Sequence, residues 1–530
     1  MHAANSQLRQ HESPVNVPRL PALVRLLLVS LFAYAAVLTT FALLRGSRAV
    51  YNEMRGAPTL GILHGMPIYQ IGLKHVAFCV LYGPLSYLFY LPAALYRNPH
   101  SYFLAGSCIS FLLYCLPLCL FLVQLRAARN GFWIGLLYAS AFVLFTLNSA
   151  SLAYSSMNFT ADAPTLGFAG LACAILFFYN GKRLWLDPAL IAIFACCALG
   201  CKQNMALFVV ALPLFGLIYH GRGFAMRLIV CIGTGLVLTL GVIWAVYHSL
   251  SAVYFNNILV PRRFPLLWEH AAPAVEFLYT NAVLLLFALG CLIAIAFSST
   301  HSLCQGFSRG QIGRVILFFA IALGLTPFSI MGVVFWGGSA NALSPTLYFG
   351  LLTLLALSHV LLVEQPRERE WPGPSSAWAV LVLFAVLHCP LLAKTLGPYP
   401  VRFALRRSSS DIVYRYSLQH PGEVYFPFDQ VSVFFAEHKF YHADWGIGDL
   451  ILGKVPVSSD EVRRNIPPAA RYVAYPPDAP SNCLAPYITP NHIHHKLPEL
   501  PTFSVFELEP ISGLEPKMAQ PICEMGSVQR

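Results

Sequence analysis

Two carboxylates of the sequence stand beside long apolar segments, at positions where they could do acid–base chemistry. Glu53 follows the first apolar segment in the stretch YNEMRGAP, and Asp162 opens the stretch DAPTLGF. A carboxylate can take the proton of an attacking hydroxyl as a general base, or it can hold that hydroxyl in line. Each residue also has a structural explanation, because Asp before Pro commonly caps a helix and a loop glutamate is commonly solvated.

The composition indicates the class of protein to which these residues belong. Of the 530 residues, 57% are hydrophobic and 11% are charged, whereas soluble domains carry about 25% charged residues. The mean hydropathy is +0.63. Several uncharged apolar stretches are long enough to cross a hydrocarbon layer of about 30 Å as helices. The predicted fold class is therefore a polytopic α-helical membrane protein.

The net charge of +11 does not indicate nucleic-acid binding. The Lys and Arg residues are spread in ones and twos between apolar segments, which is typical of topology signals and of contacts with lipid headgroups. We therefore expect membrane lipids, and no nucleic acid, among the partners.

The apolar segments predict about eleven transmembrane helices and a separate interfacial segment. Residues 80–96 contain Pro84, Pro92 and several tyrosines, a composition that favours juxtamembrane helices over a span. With that segment left out, the cations of the short loops all share one side, which the positive-inside rule places in the cytoplasm. The predicted spans are 23–44, 101–124, 132–152, 163–179, 188–201, 204–219, 228–249, 276–297, 313–335, 346–363 and 376–395.

This topology divides the chain into a cytoplasmic N-terminal tail, 1–22, a transmembrane domain, 23–395, and an external, periplasmic domain, 396–530. The last part is rich in proline and charge. Its stretches EVYFPF, RYVAYP and FSVFELEP favour short strands, so a small α/β or α+β domain is predicted. Cys483 and Cys523 lie in this polar region, and in an oxidising compartment they either pair or stay reduced.

The first external loop, 45–100, is too long to be a simple connector. It carries turn residues along YNEMRGAPTLGILHGMPIYQ and ends in the aromatic segment 80–96. We interpret it as a folded element that crosses the helix bundle and covers a cavity. Such a fold would allow Glu53 and Asp162, which come from separate loops, to converge on one pocket.

The order of these features resembles the multi-spanning glycosyltransferases of the GT-C fold. The first span is followed by an early acid, by HGMPIY and by YGPLSYLFYLPAAL, and later spans lead into NFTADAP, GCKQN and GGSANALSP. The similarity covers about 20–395 and favours the bacterial branch that includes the aminoarabinose transferase of lipid A and the protein O-mannosyltransferase-like enzymes. It implies a multi-pass protein of the bacterial inner membrane with its active site on the periplasmic side.

The resemblance implies a sugar donor linked through phosphate to a polyprenol, and a hydroxyl acceptor on a lipid, a glycan or a protein. Glu53 and Asp162 are then the catalytic carboxylates of a single inverting displacement. The anionic leaving group needs cations nearby, and the candidates for binding the donor phosphate are Lys202, Arg262 and Arg263. The residues expected to line the substrate cavity are Asn52, His64, Tyr69, Tyr82, Tyr87, Asn158, Gln203 and Asn341.

The three candidate cations differ in how specifically they indicate a phosphate site. Lys202 stands almost alone between two apolar runs, and an isolated cation at the edge of a membrane usually marks a functional site. Arg262 and Arg263 lie close to Trp268, where arginines equally often serve as interfacial anchors.

Two departures from the family argue against a metal site. Relatives often carry an acidic pair where this chain has Asn52 and Glu53. Some relatives coordinate a divalent ion through a second acid near the position of Asp162, where this chain has Asn158 and Thr160. We therefore expect no metal and no cofactor.

Two other functions remain open: a flippase or transporter of lipid-linked sugars, and an enzyme similar to the O-antigen ligases. A transporter favours internal inverted repeats and acids within the spans. The acids of this chain flank the spans instead, which favours an enzyme over a transporter. Transfer of a hexose or a pentose is what the resemblance implies. The sequence does not indicate which sugar is moved or which acceptor receives it.

Overall fold

The structure is a computed structural model of the chain. It describes residues 20–49, 51–128, 130–298, 309–364, 373–396, 408–476, 483–488 and 494–508. The predicted pairing of Cys483 with Cys523 lies outside the described residues, as does nearly all of the predicted cytoplasmic tail.

Helices make up the membrane part of the chain. Their bounds are α1 Ala22–Gly46, α2 Tyr51–Leu63, α3 Leu85–Leu88, α4 Pro99–Tyr114, α5 Leu116–Gln124, α6 Gly131–Asn148, α7 Ala150–Met157, α8 Asp162–Phe177, α9 Leu186–Cys201, α10 Ala206–His220, α11 Arg222–Tyr247, α12 Leu250–Tyr254, α13 Ala271–Ser298, α14 Arg309–Val334, α15 Ser344–Val363 and α16 Gly373–Leu396. Short 3₁₀ turns at Leu91–Leu95, Gln203–Met205 and Ala340–Leu343, and a π-helical turn at Phe255–Leu259, connect some of them.

The lengths and composition of these helices match the predicted spans. Within the described residues, 7 helices are long and apolar enough to cross a membrane, or 9 if each of two bent pairs forms one span. The pair α4–α5 bends by 47° and the pair α7–α8 by 99°. Two shorter apolar helices, α9 and Ser376–Cys389 within α16, occupy the remaining predicted positions. The prediction of a polytopic α-helical membrane protein is confirmed.

The outer surface of the bundle is apolar, as a lipid-facing surface must be. Val230, Val237 and Trp244 of α11 point outward and are exposed, and so are Leu286 and Phe287 of α13. Such a surface would aggregate in water, whereas hydrocarbon solvates it.

The interior of the bundle is close-packed around α8 and α15. Gly167 of α8 lies against the backbone of α4, where a Cβ atom would come within 1.9 Å of the carbonyl oxygen of Leu113. Because no side chain fits between them, the two helices approach directly. The start of α8 is thereby fixed at one end of the bundle.

The first loop is folded, as the sequence predicts. Residues 80–96 form α3 and a 3₁₀ turn instead of a span. Thr59 of α2 donates to the carbonyl of Tyr87 at 3.1 Å, and Tyr102 of α4 donates to the carbonyl of Gly56 at 2.8 Å. These bonds hold α2 between the bundle and the aromatic segment.

The tail folds into a small α/β unit. Its helices are α17 Ser409–Gln419, α18 Gln430–Glu437, α19 Asp444–Leu452, α20 Ser459–Arg464 and α21 Ala485–Ile488, and its strands are β1 Val424–Tyr425, β2 Tyr472–Tyr475, β3 His494–His495 and β4 Ser504–Glu507. The sheet has the order β1-β2-β4-β3, with β1 parallel to β2 and the other pairs antiparallel. The three stretches that predicted strands contain β1, β2 and β4.

The tail docks on the first loop through hydrogen bonds to the backbone of Ala77. The amide of Ala443 donates to the carbonyl of Ala77 at 2.9 Å, and the amide of Ala77 donates to Nδ1 of His442 at 2.8 Å. Burial lowers the pKa of His442 to about 4, so the ring is neutral at pH 7 and can accept this bond.

Candidate functional site

Three residues from distant parts of the chain meet at one end of the bundle. Asp162 opens α8, Lys202 follows α9, and Asn341 lies in the 3₁₀ turn before α15. The Nζ atom of Lys202 lies 2.5 Å from Oδ1 of Asp162, and Nδ2 of Asn341 donates to Oδ2 at 2.8 Å. Asp162 is 2% exposed and Lys202 14%, so the carboxylate is almost fully withdrawn from water and the ammonium group is partly buried. A buried pair of this kind requires a complete set of partners.

The capping explanation of Asp162 does not describe this structure. No side-chain hydrogen bond caps the start of α8, and both carboxylate oxygens are directed to Lys202 and Asn341. The carboxylate therefore acts in tertiary contacts, although its position in the first turn also suits the helix dipole.

A second cation, Arg55 of α2, extends the cluster. The ring of Tyr82 contacts both cations, with its centroid 4.9 Å from Cζ of Arg55 and 5.6 Å from Nζ of Lys202. The Nε and Nη1 atoms of Arg55 are buried and have no hydrogen-bond partner among the described residues. Buried guanidinium nitrogens without partners are costly, so this geometry favours binding of an anion.

Close backbone contact holds Tyr82 beside Lys202. The amide of Gly83 donates to the carbonyl of Cys201 at 3.0 Å, and a Cβ atom on Gly83 would come within 2.3 Å of the carbonyl oxygen of Gly200. Only glycine permits the aromatic segment to approach the end of α9 so closely. Gln203 adds a bond from Nε2 to the carbonyl of Leu81 at 3.3 Å.

A narrow cleft lies beneath the cluster, between Arg55, Tyr82, Tyr87, Tyr90 and the segment 159–161. It has room for little more than one water molecule. Arg55 thus faces a gap that is closed in this conformation, and Lys202 lies beside it on the ring of Tyr82.

Glu53 lies elsewhere. It is fully buried, and its carboxylate accepts hydrogen bonds from the amides of Val431 at 2.9 Å and Ser432 at 3.0 Å, and from the hydroxyl of Ser432. These donors belong to the first turn of α18, so Glu53 occupies the anion position at the start of a helix in the tail. The side chain joins the first loop to the tail.

The expectation that Glu53 and Asp162 converge on one cavity is therefore wrong. Residues of an α-helix are about 100° apart around the axis, so Glu53 and Arg55 point to nearly opposite sides of α2. Arg55 faces the Asp162 cluster and Glu53 faces α18. Arg55 was not predicted as a site residue from the sequence, although a cation in so apolar a region indicates a functional site.

The other predicted cavity residues lie around the cleft as structural supports. Asn52 donates to the carbonyl of Gly46 at 2.7 Å and accepts from the amide of Phe159 at 2.9 Å, so it fixes the segment before α8. Asn158 donates to the carbonyl of Tyr154 at 2.9 Å, and its buried Oδ1 atom has no partner among the described residues.

The predicted tyrosines shape the aromatic segment. Tyr69 donates to the carbonyl of Tyr82 at 2.8 Å, and Tyr87 donates to the carbonyl of Cys79 at 3.3 Å. Tyr87 and Tyr82 line the cleft, whereas Tyr69 supports Tyr82 from behind.

Three predicted residues are not part of the cluster. His64 packs on Phe434 of the tail, with ring centroids 4.7 Å apart. Arg263 donates to the carbonyl of Gly453 at 3.2 Å, and Arg262 is exposed. The proposed phosphate contact of Arg262 and Arg263 is therefore not supported by the structure, because no described contact connects either arginine with Lys202.

A metal site was not expected from the sequence. Among the residues that the structure describes, no group of three or more His, Cys, Asp and Glu side chains is arranged to hold a metal ion. The independence from metal remains a prediction.

The buried acids at the tail contact predict a pH dependence. Burial raises the pKa of Glu53 to about 7, and burial together with the charge of Glu53 raises the pKa of Asp429. A carboxyl group whose pKa is raised by folding stabilises the folded state. This stabilisation is complete at pH values below the pKa of the unfolded chain, near 4.5, and it is lost as the pH rises through the folded pKa of about 7. For Glu53 it amounts to about 3 kcal/mol.

We expect the melting temperature of the wild-type protein to fall between pH 6.5 and 8 by about one or two degrees, because most of this stabilisation is already lost between pH 4.5 and 6.5. In this window the folded His442 ring is already neutral, whereas the unfolded ring, with its ordinary pKa of 6.5, loses its remaining protons by about pH 7.5. His442 therefore opposes the fall, but only at the lower end of the window. Glu53→Gln is expected to flatten the profile, since the amide cannot ionise, and to keep turnover within a few fold. A variant that keeps the slope, or that loses turnover while remaining folded, would show that Glu53 has another role.

Comparisons with known proteins find similarity in solved structures. No family model matches the chain, and no curated protein matches it significantly. Among solved structures 6 chains match. ArnT from Cupriavidus metallidurans bound to undecaprenyl phosphate is 14% identical with a TM-score of 0.46, over 90% of this chain and 97% of that chain. ArnT from the same organism in the apo state has a TM-score of 0.41, with the same identity and coverage. The chain is thus similar to ArnT structures over most of its length, at low sequence identity.

Proposed function

We propose that the protein is a membrane glycosyltransferase that moves a sugar from a polyprenyl-phosphate-linked donor to a hydroxyl acceptor. The observation that carries this proposal is the convergence of Arg55 and Lys202 on the ring of Tyr82, with Asp162 paired to Lys202. Such a transfer needs cations that bind the anionic phosphate and a carboxylate that accepts the proton of the attacking hydroxyl. The lipid in the ArnT structure, undecaprenyl phosphate, belongs to the class of donor lipid that we propose here.

The cations bind the donor phosphate in this proposal. Arg55 offers two buried nitrogens without partners among the described residues, and Lys202 supplies a second charge beside the ring of Tyr82. Charge-assisted bonds to phosphate are stronger than neutral ones, and they strengthen further as the leaving group gains charge. The lipid phosphate thus leaves into a cationic site.

Asp162 acts on the acceptor. In the resting structure its carboxylate is paired with Lys202. When the donor phosphate attracts Lys202, Asp162 becomes available to accept the proton of the attacking hydroxyl. The acceptor oxygen forms a bond to the anomeric carbon as the bond from that carbon to the phosphate oxygen breaks, and the electron pair leaves with the polyprenyl phosphate. One such displacement inverts the anomeric configuration.

Donor binding must widen the cleft, which is closed in this conformation. The tail packs against the same helix that carries Arg55, through Glu53 and through Tyr51, whose ring lies 5.0 Å from that of Trp445. We propose that movement of α2 and the tail together opens the site. The site and the tail lie on the periplasmic side in this proposal.

The function can be tested with purified protein in detergent. Polyprenyl-phosphate donors that carry radiolabelled hexoses or pentoses are incubated with lipid, glycan and protein acceptors. We expect release of polyprenyl phosphate and a labelled product of inverted configuration. If no donor is consumed across the panel, while proteoliposomes exchange lipid-linked sugar between leaflets, the protein is a transporter and the proposal fails.

A further inference from the structure

A second pocket lies at the end of α8 that is remote from Asp162. Its volume is about 470 Å³, and it is formed by α5, α8, α9 and the loop between α8 and α9. From Asp162 to Ile175 the helix axis rises by about 20 Å, so this pocket is close to the opposite membrane surface. It is separate from the proposed active site, and a ligand could bind there whether or not the protein is a glycosyltransferase.

The pocket interrupts the close packing around α8. Every residue of α8 is buried except Leu171 and Ile175, which are half-buried and line the pocket. Phe178, directly after the helix, lines it too. Positions 171, 175 and 178 fall on one helix face. The floor of the pocket is therefore an apolar strip along a membrane-spanning helix, and an acyl chain fits along such a strip.

The rim of the pocket is charged. Lys182 and Arg183 line it and are exposed, and the carboxylate of Asp187 lies on the same rim. The loop is a tight turn, in which Asn180 accepts from the amide of Lys182 at 3.1 Å and Gly181 has a φ of +77°. Two cations and one carboxylate leave one net positive charge above an apolar floor.

We propose that this pocket binds an anionic glycerophospholipid with a singly charged headgroup. One acyl chain lies along Leu171 and Ile175, and the phosphate binds Lys182 and Arg183. Asp187 accepts a hydrogen bond from a hydroxyl of a glycerol headgroup. Basic pockets between spanning helices are a recognised arrangement for binding acidic lipids, and their cations attract the negative surface of the cytoplasmic leaflet. The occupant would lie between α5 and α9 and would complete the cover of α8.

Trp185 makes the proposal measurable, because it is exposed and lies two positions from Arg183. The full chain is reconstituted in phosphatidylcholine vesicles that contain a small, equal fraction of either brominated phosphatidylglycerol or brominated phosphatidylcholine. Bromine quenches nearby tryptophan, and subtraction of the Trp185→Phe signal isolates this residue. We expect brominated phosphatidylglycerol to be enriched at Trp185 about five-fold over brominated phosphatidylcholine.

Two independent variants test the two halves of the pocket. Lys182→Gln with Arg183→Gln removes the rim charge, and Leu171→Phe with Ile175→Phe fills the floor while leaving the cations. Both are expected to abolish the preference. Arg222→Gln, an exposed cation at the start of α11 outside the pocket, is the matched control and is expected to keep it.

Three outcomes would overturn the proposal. Equal quenching by the two brominated lipids would show that no acidic lipid is selected. A preference that survives filling of the floor would show only diffuse attraction of headgroups to the surface. Loss of the preference on addition of inorganic phosphate would show a site for free phosphate instead of a lipid.

Discussion

Replacement of Asp162 by Asn is expected to lower the turnover number by about two to four orders of magnitude, because general-base catalysis contributes about that much. The amide has nearly the same shape and can still bond to Asn341, but it cannot take a proton. The measurement is kcat with a saturating lipid-linked donor. The loss of the ion pair with Lys202 also costs stability, so the melting temperature is measured in parallel and kcat is compared below the transition.

Glu269→Gln is the matched control for this experiment. Glu269 is an exposed acid in the loop before α13, and no described contact connects it with the cluster. Its replacement is expected to leave kcat unchanged. Folded Asp162→Asn protein with turnover close to that of the wild type would rule out a catalytic carboxylate at this position.

Replacement of Arg55 by Gln is expected to raise the KM for the donor about ten- to hundred-fold, since hydrogen bonds to charged groups contribute about 1.5–3 kcal/mol each. Arg55→Lys is expected to restore only part of the affinity, because an ammonium group does not present the two nitrogens that lack partners in this structure. Initial rates over a range of donor concentrations, together with equilibrium binding of polyprenyl phosphate, separate this effect from a change in kcat.

Arg262→Gln and Arg263→Gln are the controls for Arg55. The sequence predicts both arginines as phosphate ligands, yet Arg262 is exposed and Arg263 bonds to Gly453 of the tail. Their variants should bind the donor as the wild type does. If Arg262→Gln impairs donor binding as strongly as Arg55→Gln, the phosphate site has been assigned to the wrong cations.

Much of the site could be predicted because its residues flank apolar segments. Asp162, Lys202 and Asn341 all lie at helix ends on one side of the bundle, and topology alone assigns such ends to one side. Tyr82 was predicted as a cavity residue from its place in the interfacial segment 80–96, and it contacts Lys202. Polar residues in so apolar a chain are costly unless they are paired, so their positions are informative.

The rotation of α2 could not be predicted in this way. Glu53 and Arg55 are two positions apart, and both are buried, so hydrophobic periodicity does not indicate which of them faces the bundle. The sequence also gives no sign that the amides of Val431 and Ser432 would bind Glu53, since these residues lie in the tail. A long-range contact of this kind depends on how the tail docks.

By itself the sequence determined that the chain spans the membrane many times, that 80–96 does not span it, and that the tail contains a small sheet. These features follow from the length and composition of local segments. A backbone in hydrocarbon must satisfy its own hydrogen bonds, and a strand with one face in water must alternate apolar and polar residues. Only the tertiary structure decided that Arg55, not Glu53, joins Lys202 and Asp162 in one cluster around Tyr82. Which of the two residues reaches the cluster depends on which face of α2 packs on the bundle and which packs on the tail. The bundle and the tail are far apart along the chain, so no short stretch of sequence contains this information.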